Sequence, residues 1–244
     1  MRFLTALLIL FFITTNVYSG EVYDPAKHGG YQYYQNNYNY TPSSAKENIV
    51  IILDASGSMD EQIGGVKKID IAKRTILKVL SQVSPDVGIG LRVYGGENYF
   101  LPSKACRCSN LKVPVMINSQ HQIAGALSSI RPIGATPITY SLKQAVNYDL
   151  AGKTGTRRII LLSDGEENCD ESPCEYAVNL IRSGSDIKID AIAFSTNKIT
   201  DNQLKCVAMS TKGKFYRADT EATLLHSLLD SLRIQKDVQG TIIK

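Results

Sequence analysis

The sequence predicts an α/β fold: a doubly wound, mostly parallel, Rossmann-like six-stranded sheet with helices on both faces and an antiparallel strand at one edge. Three observations carry this expectation. Six short runs rich in β-branched residues recur from residue 49 onward, stretches of helical period separate most of them, and the second and third runs have no such stretch between them. Alternation of strand and helix marks parallel strands joined by crossovers, whereas two strands without a crossover pair as an antiparallel hairpin.

The first run, 49–53 (IVIIL), is apolar at every position, as a strand covered on both faces must be. Ile69, Ala72, Ile76, Val79, Leu80 and Val83 then share one helical face. Runs 87–93 (VGIGLRV) and 111–117 (LKVPVMI) form the expected hairpin, with the second at the edge. Ile138, Leu142, Ala145 and Val146 mark a second helix, with Pro137 suited to its first turn. Run 159–162 (IILL) precedes a third helical face at Ala177, Leu180 and Ile181. Run 187–193 (IKIDAIA) precedes a fourth at Leu204, Val207 and Ala208. Run 214–217 (KFYR) leads into a fifth at Leu224, Leu225, Leu228, Leu229 and Leu232.

The flanks differ in character. Arg2 precedes an apolar run from Leu4 to Ile13, followed by Thr14, Thr15 and Asn16 and the small residues Ser19 and Gly20, the pattern of a cleaved secretory signal over 1–20. The run is short for a stable membrane span, and an uncleaved anchor is the alternative. No cysteine near the cleavage point supports lipid attachment. Residues 21–47, rich in Tyr, Asn, Gln and Gly without apolar period, read as a linker; 48–236 form the folded domain and 237–244 a tail. A hydrophobic content of 43% in 244 residues suffices for one core, and so for a single domain of about 200 residues. The net charge of +4, from 27 basic and 23 acidic residues scattered along the chain, offers no basic stripe for nucleic acid.

In a doubly wound sheet, ligands bind beyond the carboxyl ends of the strands. "DASGS" puts Asp54, Ser56 and Ser58 there after the first strand, "SDGE" puts Asp164 after the fourth, and "GATP" puts Thr136 on a loop before a helix. Two carboxylates and three hydroxyls, with no nitrogen or sulfur, suit a hard cation such as Mg²⁺. Asp60 and Glu61 admit a second ion or, more economically, a solvated acidic turn. The five cysteines, Cys106, Cys108, Cys169, Cys174 and Cys206, point to disulfides in an oxidising compartment, with one thiol left over. No C-x-x-C pair occurs to argue for zinc.

These three motifs, in this order, resemble the metal-ion-dependent adhesion site (MIDAS) of von Willebrand factor type A (VWA) domains, over roughly residues 48–234. The resemblance implies that Ser56, Ser58 and Thr136 approach a cation through their hydroxyls. It implies that Asp54 and Asp164 act directly or through water. The cation would be Mg²⁺, with Mn²⁺ or Ca²⁺ as alternatives, and its open position would take an Asp or Glu carboxylate from a protein ligand. In integrin-like relatives that event moves the final helix, here 220–234; a fixed core helix is the simpler reading.

The chain further resembles exported bacterial VWA proteins, with a periplasmic or cell-surface location implied. Their cysteine positions imply the pairs Cys108–Cys169 and Cys174–Cys206, with Cys106 the extra thiol and Cys169–Cys174 a rival pairing. The function expected is a metal-dependent protein-binding module. A scaffold subunit of an envelope assembly with a structural metal is the alternative. An enzyme is not expected: Ser56 stands where a D-x-D-x-T phosphatase needs its second aspartate, and no G-x-S-x-G supports a serine hydrolase. His28, His121 and His226 fall in the linker, near a helix start and in the final helix.

Overall fold

Strand β1 (Glu47–Ala55) lies inside the sheet, paired in parallel with β4 (Val87–Gly95) on one side and β6 (Thr156–Ser163) on the other. The computed structural model describes residues 45–234. The expected signal (1–20), nearly all of the linker and the tail fall outside them. Among the described residues, six strands make one sheet in the order β5-β4-β1-β6-β7-β8, where β5 is Ser109–Met116, β7 Lys188–Phe194 and β8 Phe215–Ala218. All neighbours run parallel except β5, which is antiparallel to β4 at the edge. The expected fold class is therefore observed. Glu47 already opens β1, and Ala45 is buried.

Alternation along β1 distributes the core. Ile49, Ile51 and Leu53 face helices α1 (Lys68–Leu80), α3 (Gln120–Ser129) and α7 (Glu221–Ser231), meeting Ile69, Ile76, Ile123, Leu127, Leu224 and Leu228. Val50 and Ile52 face α4 (Ile138–Gln144), α5 (Pro173–Arg182) and α6 (Lys198–Ser210), among Ile138, Leu142, Ala177, Leu204 and Val207. Each fully buried Ile or Leu here stabilises the fold by about 1.5–3 kcal/mol. A π-helical turn, Ala145–Asp149, extends α4 and delivers the Asp149 carboxylate to the Arg92 guanidinium at 2.6 and 2.7 Å, both buried.

Two features go beyond the sequence reading, and a third was marked only by a helix start near His121. A second small sheet pairs β2 (Gln62–Ile63) with β3 (Val66–Lys67) across Gly64 and Gly65, whose φ values of 58° and 82° explain the Gly-Gly turn. A four-residue helix, α2 (Pro102–Ala105), sits in the β4–β5 connection. Helix α3 buries only Ile123 and Leu127, too sparse a stripe to announce itself.

The chain moves from β1 outward to β4 and β5, then returns to place β6, β7 and β8 on β1's other side. β1 is thus the point where the winding reverses, and the crevice lies beyond the carboxyl ends of β1 and its neighbours. Gly95 keeps that end tight. At φ 66° a Cβ there would stand 2.6 Å from the Ala55 carbonyl oxygen.

Candidate functional site

Asp54, one residue from the end of β1, is fully buried. One carboxylate oxygen accepts the Ser56 amide at 2.8 Å. The other accepts the Tyr94 hydroxyl at 2.8 Å, the Ser163 hydroxyl at 2.7 Å and the Asp164 amide at 3.3 Å. These four donors, drawn from β1, β4 and the β6 end, offset the cost of burying the charge. Burial and the Asp54 charge beside it push the Tyr94 phenol well above its ordinary pKa, so it stays a proton donor.

The hydroxyls follow on a short 3₁₀ turn, Gly57–Asp60, held by the Gly57 amide on the Gly134 carbonyl at 3.2 Å. Ser56 Oγ and Ser58 Oγ lie 3.1 Å apart, and Ser58 Oγ donates to Asp164 Oδ1 at 2.6 Å. Thr136 arrives from the opposite side. A methyl placed on Gly165 would stand 3.6 Å from Ser58 Oγ and 3.9 Å from Thr136 Oγ1, so the missing side chain leaves a gap between the two hydroxyls. Asp54, Ser56, Ser58 and Asp164 thus form one bonded cluster, with Thr136 facing it across Gly165.

Asp164 is also buried, and its second oxygen accepts from Lys68 Nζ at 3.0 Å. Burial, then the Asp54 charge, raises its pKa to about 6, against the opposing pull of Ser58 and Lys68. Lys68 opens α1, is buried, and donates to Glu61 Oε2 at 2.6 Å as well. Burial works to lower its pKa, but the bonds to Glu61 and Asp164 outweigh it, and the ammonium is held above its ordinary value. The acidic turn is accordingly paired internally: Asp60 meets Lys67 at 2.7 Å and Glu61 meets Lys68.

The loop after Asp164 is fastened to the Thr136 loop. Asn168 Oδ1 accepts the Thr136 amide at 2.7 Å; Glu167 accepts the amides of Thr139 at 2.7 Å and Cys169 at 3.1 Å. Burial raises the Glu167 pKa against those bonds. Disulfides Cys106–Cys169 and Cys174–Cys206, each with Cα atoms 5.4 Å apart, tie this loop to the β4–β5 connection and α5 to α6. A cavity of about 240 Å³ opens beside the first bridge, between Arg107, Tyr140, Glu167 and Glu171.

The expected Cys108–Cys169 pair is corrected, as is the rival Cys169–Cys174: Cys106 is the partner and Cys108 the free, buried thiol. The reason is the turn that ends α2. Cys106 caps the helix, and the Cys108 amide bonds the Ala105 carbonyl, so the chain is still turning between the two cysteines and does not carry both thiols to one side. Cys108 turns inward and donates to the Gly95 carbonyl at 3.2 Å.

The residue set fits a divalent cation on its own geometry. Oxygens adjacent in an octahedron with ligands at about 2.1 Å lie about 3.0 Å apart. The Ser56–Ser58 and Ser58–Asp164 separations, 3.1 and 2.6 Å, bracket that edge. Among the described residues no group of three or more His, Cys, Asp or Glu forms a metal-type cluster, so any such site rests on hydroxyls as much as carboxylates.

The family model of the von Willebrand factor type A domain matches residues 48–231. The chain belongs to the VWA domain family. Among its relatives are the uncharacterized protein YwmC of Bacillus subtilis (strain 168), 30% identical over 74% of this chain and 81% of that one, and its YwmD, 31% identical over 74% and 84%. The VWA fold is shared with solved structures. The domain of the type V pili tip protein Mfa5 from Porphyromonas gingivalis aligns at TM-score 0.60 and 14% identity over 79% of this chain and 97% of that one. Proximal thread matrix protein 1 of the mussel byssus, solved with a zinc-occupied MIDAS motif, aligns at 0.59 and 20% over 78% and 45%.

Sequence reasoning missed Lys68, Tyr94 and Ser163. The last two carried a signal: each is a hydroxyl at the end of a strand adjoining β1, Tyr94 in register with Asp54.

Proposed function

We propose that this VWA domain is an exported, divalent-cation-dependent protein-binding module. Asp54, Ser56, Ser58, Thr136 and Asp164 would hold Mg²⁺, with Mn²⁺ and Ca²⁺ as alternatives, and an Asp or Glu of a protein partner completes the site. The single observation that carries this reading is the continuous row of oxygens from Ser56 through Ser58 to Asp164 at the carboxyl end of β1. A cation held largely by neutral hydroxyls supplies an electrophile still short of negative charge, and so receptive to a carboxylate. In this reading the residues bind and orient, and the function is recognition rather than turnover.

The family match supports an interaction role, as does the fold shared with a pilus tip protein and with the pilus adhesin SpaC of Lactobacillus rhamnosus GG. Export is supported by the two disulfides, which persist in oxidising compartments, periplasmic or extracellular. Among the described residues no helix is long and apolar enough to cross a membrane. A scaffold whose metal is structural is the weaker reading, because Asp54 already has four protein donors.

The test is binding of immobilised acidic peptides with Mg²⁺ and with chelator. Retention that needs both the metal and the peptide carboxylate supports the module. Retention indifferent to both contradicts it, and unfolding on chelation favours the scaffold.

A further inference from the structure

Lys68 is the one group in the cluster whose charge works against a cation. Its side chain is 6% exposed and that of Asp164 is 0% exposed, so their attraction is little screened by water; Glu61, the other partner at 2.6 Å, is 67% exposed and its pairing is the more open to solvent. The two aspartates are held differently. Asp54 is held by neutral donors alone, whereas Asp164 divides its oxygens between the Ser58 hydroxyl and the Lys68 ammonium.

The hydroxyls add no charge, but the two carboxylates offset part of a dication's, so the pull left for an external acid depends on what other charge stands beside them. With the ammonium fixed beside Asp164, the loaded site carries one unit of positive charge more than it would without Lys68, whether or not the exposed Glu61 is counted with it. We infer that Lys68 is a positioning and charge-setting residue, a built-in counter-cation that weakens the site's hold on its metal and strengthens the loaded site's hold on an acidic ligand. This inference rests on the reading above and adds to it the residue that sets the balance. Its geometry also confines Asp164: with Oδ2 held by Lys68, only Oδ1, on the Ser58 side, faces the hydroxyl row.

Lys68→Met, which keeps the unbranched stem and removes the charge, and Lys68→Gln, which keeps a donor to Asp164, separate charge from packing. Each is compared with the unsubstituted protein by calorimetric titration of Mn²⁺. The Mn²⁺-loaded forms are then titrated with acetylated, amidated Gly-Glu-Gly. Removing a unit charge that stands 3.0 Å from an Asp164 carboxylate oxygen is expected to tighten Mn²⁺ binding roughly tenfold or more and to weaken the peptide several-fold, in both variants. A loss of folding alone would weaken both affinities together, and circular dichroism of each variant identifies it. Unchanged or weaker Mn²⁺ binding in folded variants overturns the inference while leaving the module intact. No Mn²⁺ binding by the unsubstituted protein overturns both.

Discussion

Tyr94 and Asp54 stand side by side in register on β4 and β1, and the Tyr94 hydroxyl, itself fully buried, donates to the Asp54 carboxylate at 2.8 Å. The same hydroxyl lies 2.8 Å from Ser163 Oγ, so one phenol braces the strand that carries Asp54 and the strand that leads to Asp164. Tyr94→Phe removes that donor and leaves the packing, at an expected cost of about 1–2 kcal/mol in urea unfolding. A variant as stable as the parent would show that the Ser163 and Asp164 donors suffice.

The proposed metal affinity carries a pH signature. Asp164, raised from an ordinary 3.8 to about 6, must lose its proton before a cation can use it. Apparent Mg²⁺ affinity is therefore expected to be constant above about pH 6 and to fall below it, by up to tenfold per pH unit, with proton release visible when calorimetry is repeated in buffers of different ionisation enthalpy. The metal-free protein behaves oppositely. A carboxyl whose folded pKa is raised contributes stability fully present below 3.8 and lost as pH rises through about 6, so this group's contribution declines across that window. An affinity flat from pH 7 to pH 5 would contradict the assignment.

The disulfide correction is directly measurable. Proteolytic mapping without reduction is expected to yield Cys106–Cys169 and Cys174–Cys206, and a Cys108–Cys169 fragment would contradict it. Cys108 is 4% exposed, and its thiol pKa is raised chiefly by burial. It should resist a maleimide in the native state and react in denaturant.

Removing the second bridge tests what it contributes. Cys174 and Cys206 are separated by 32 residues. Replacing both with serine is expected to cost about 3–4 kcal/mol through the larger entropy of the unfolded chain. A cost below 1 kcal/mol would show that packing of α5 on α6 already holds the pair.

Much of this fold could be read before any coordinates because β1 is buried on both faces and the helices keep wide apolar stripes. IVIIL at 49–53 leaves few alternatives to a central strand, and the missing helix between β4 and β5 announces the antiparallel edge. Elements that bury little were faint or invisible: α3, marked only by a helix start near His121, presents only Ile123 and Leu127, and β2 and β3 are two residues each. In the site, Asp54, Ser56, Ser58 and Asp164 come together as their spacing implied. Of the missed residues, Lys68 begins a helix in a Lys-Lys pair, where sequence alone reads a solvated charge; its bonds to Asp164 and Glu61 turn it inward. The cysteine error has the same root. C-x-C points both thiols one way on a strand but not around the end of α2.

The measurement that bears most directly on the central claim is calorimetric titration of the metal-free protein with Mg²⁺ and Mn²⁺, alongside Ser58→Ala. That variant removes the oxygen between Ser56 and Asp164 while sparing the buried donors on Asp54. One saturable site in the parent, lost or weakened at least tenfold in a normally folded Ser58→Ala, is the predicted result. Saturation unaffected by the substitution, or none in either protein, would contradict it.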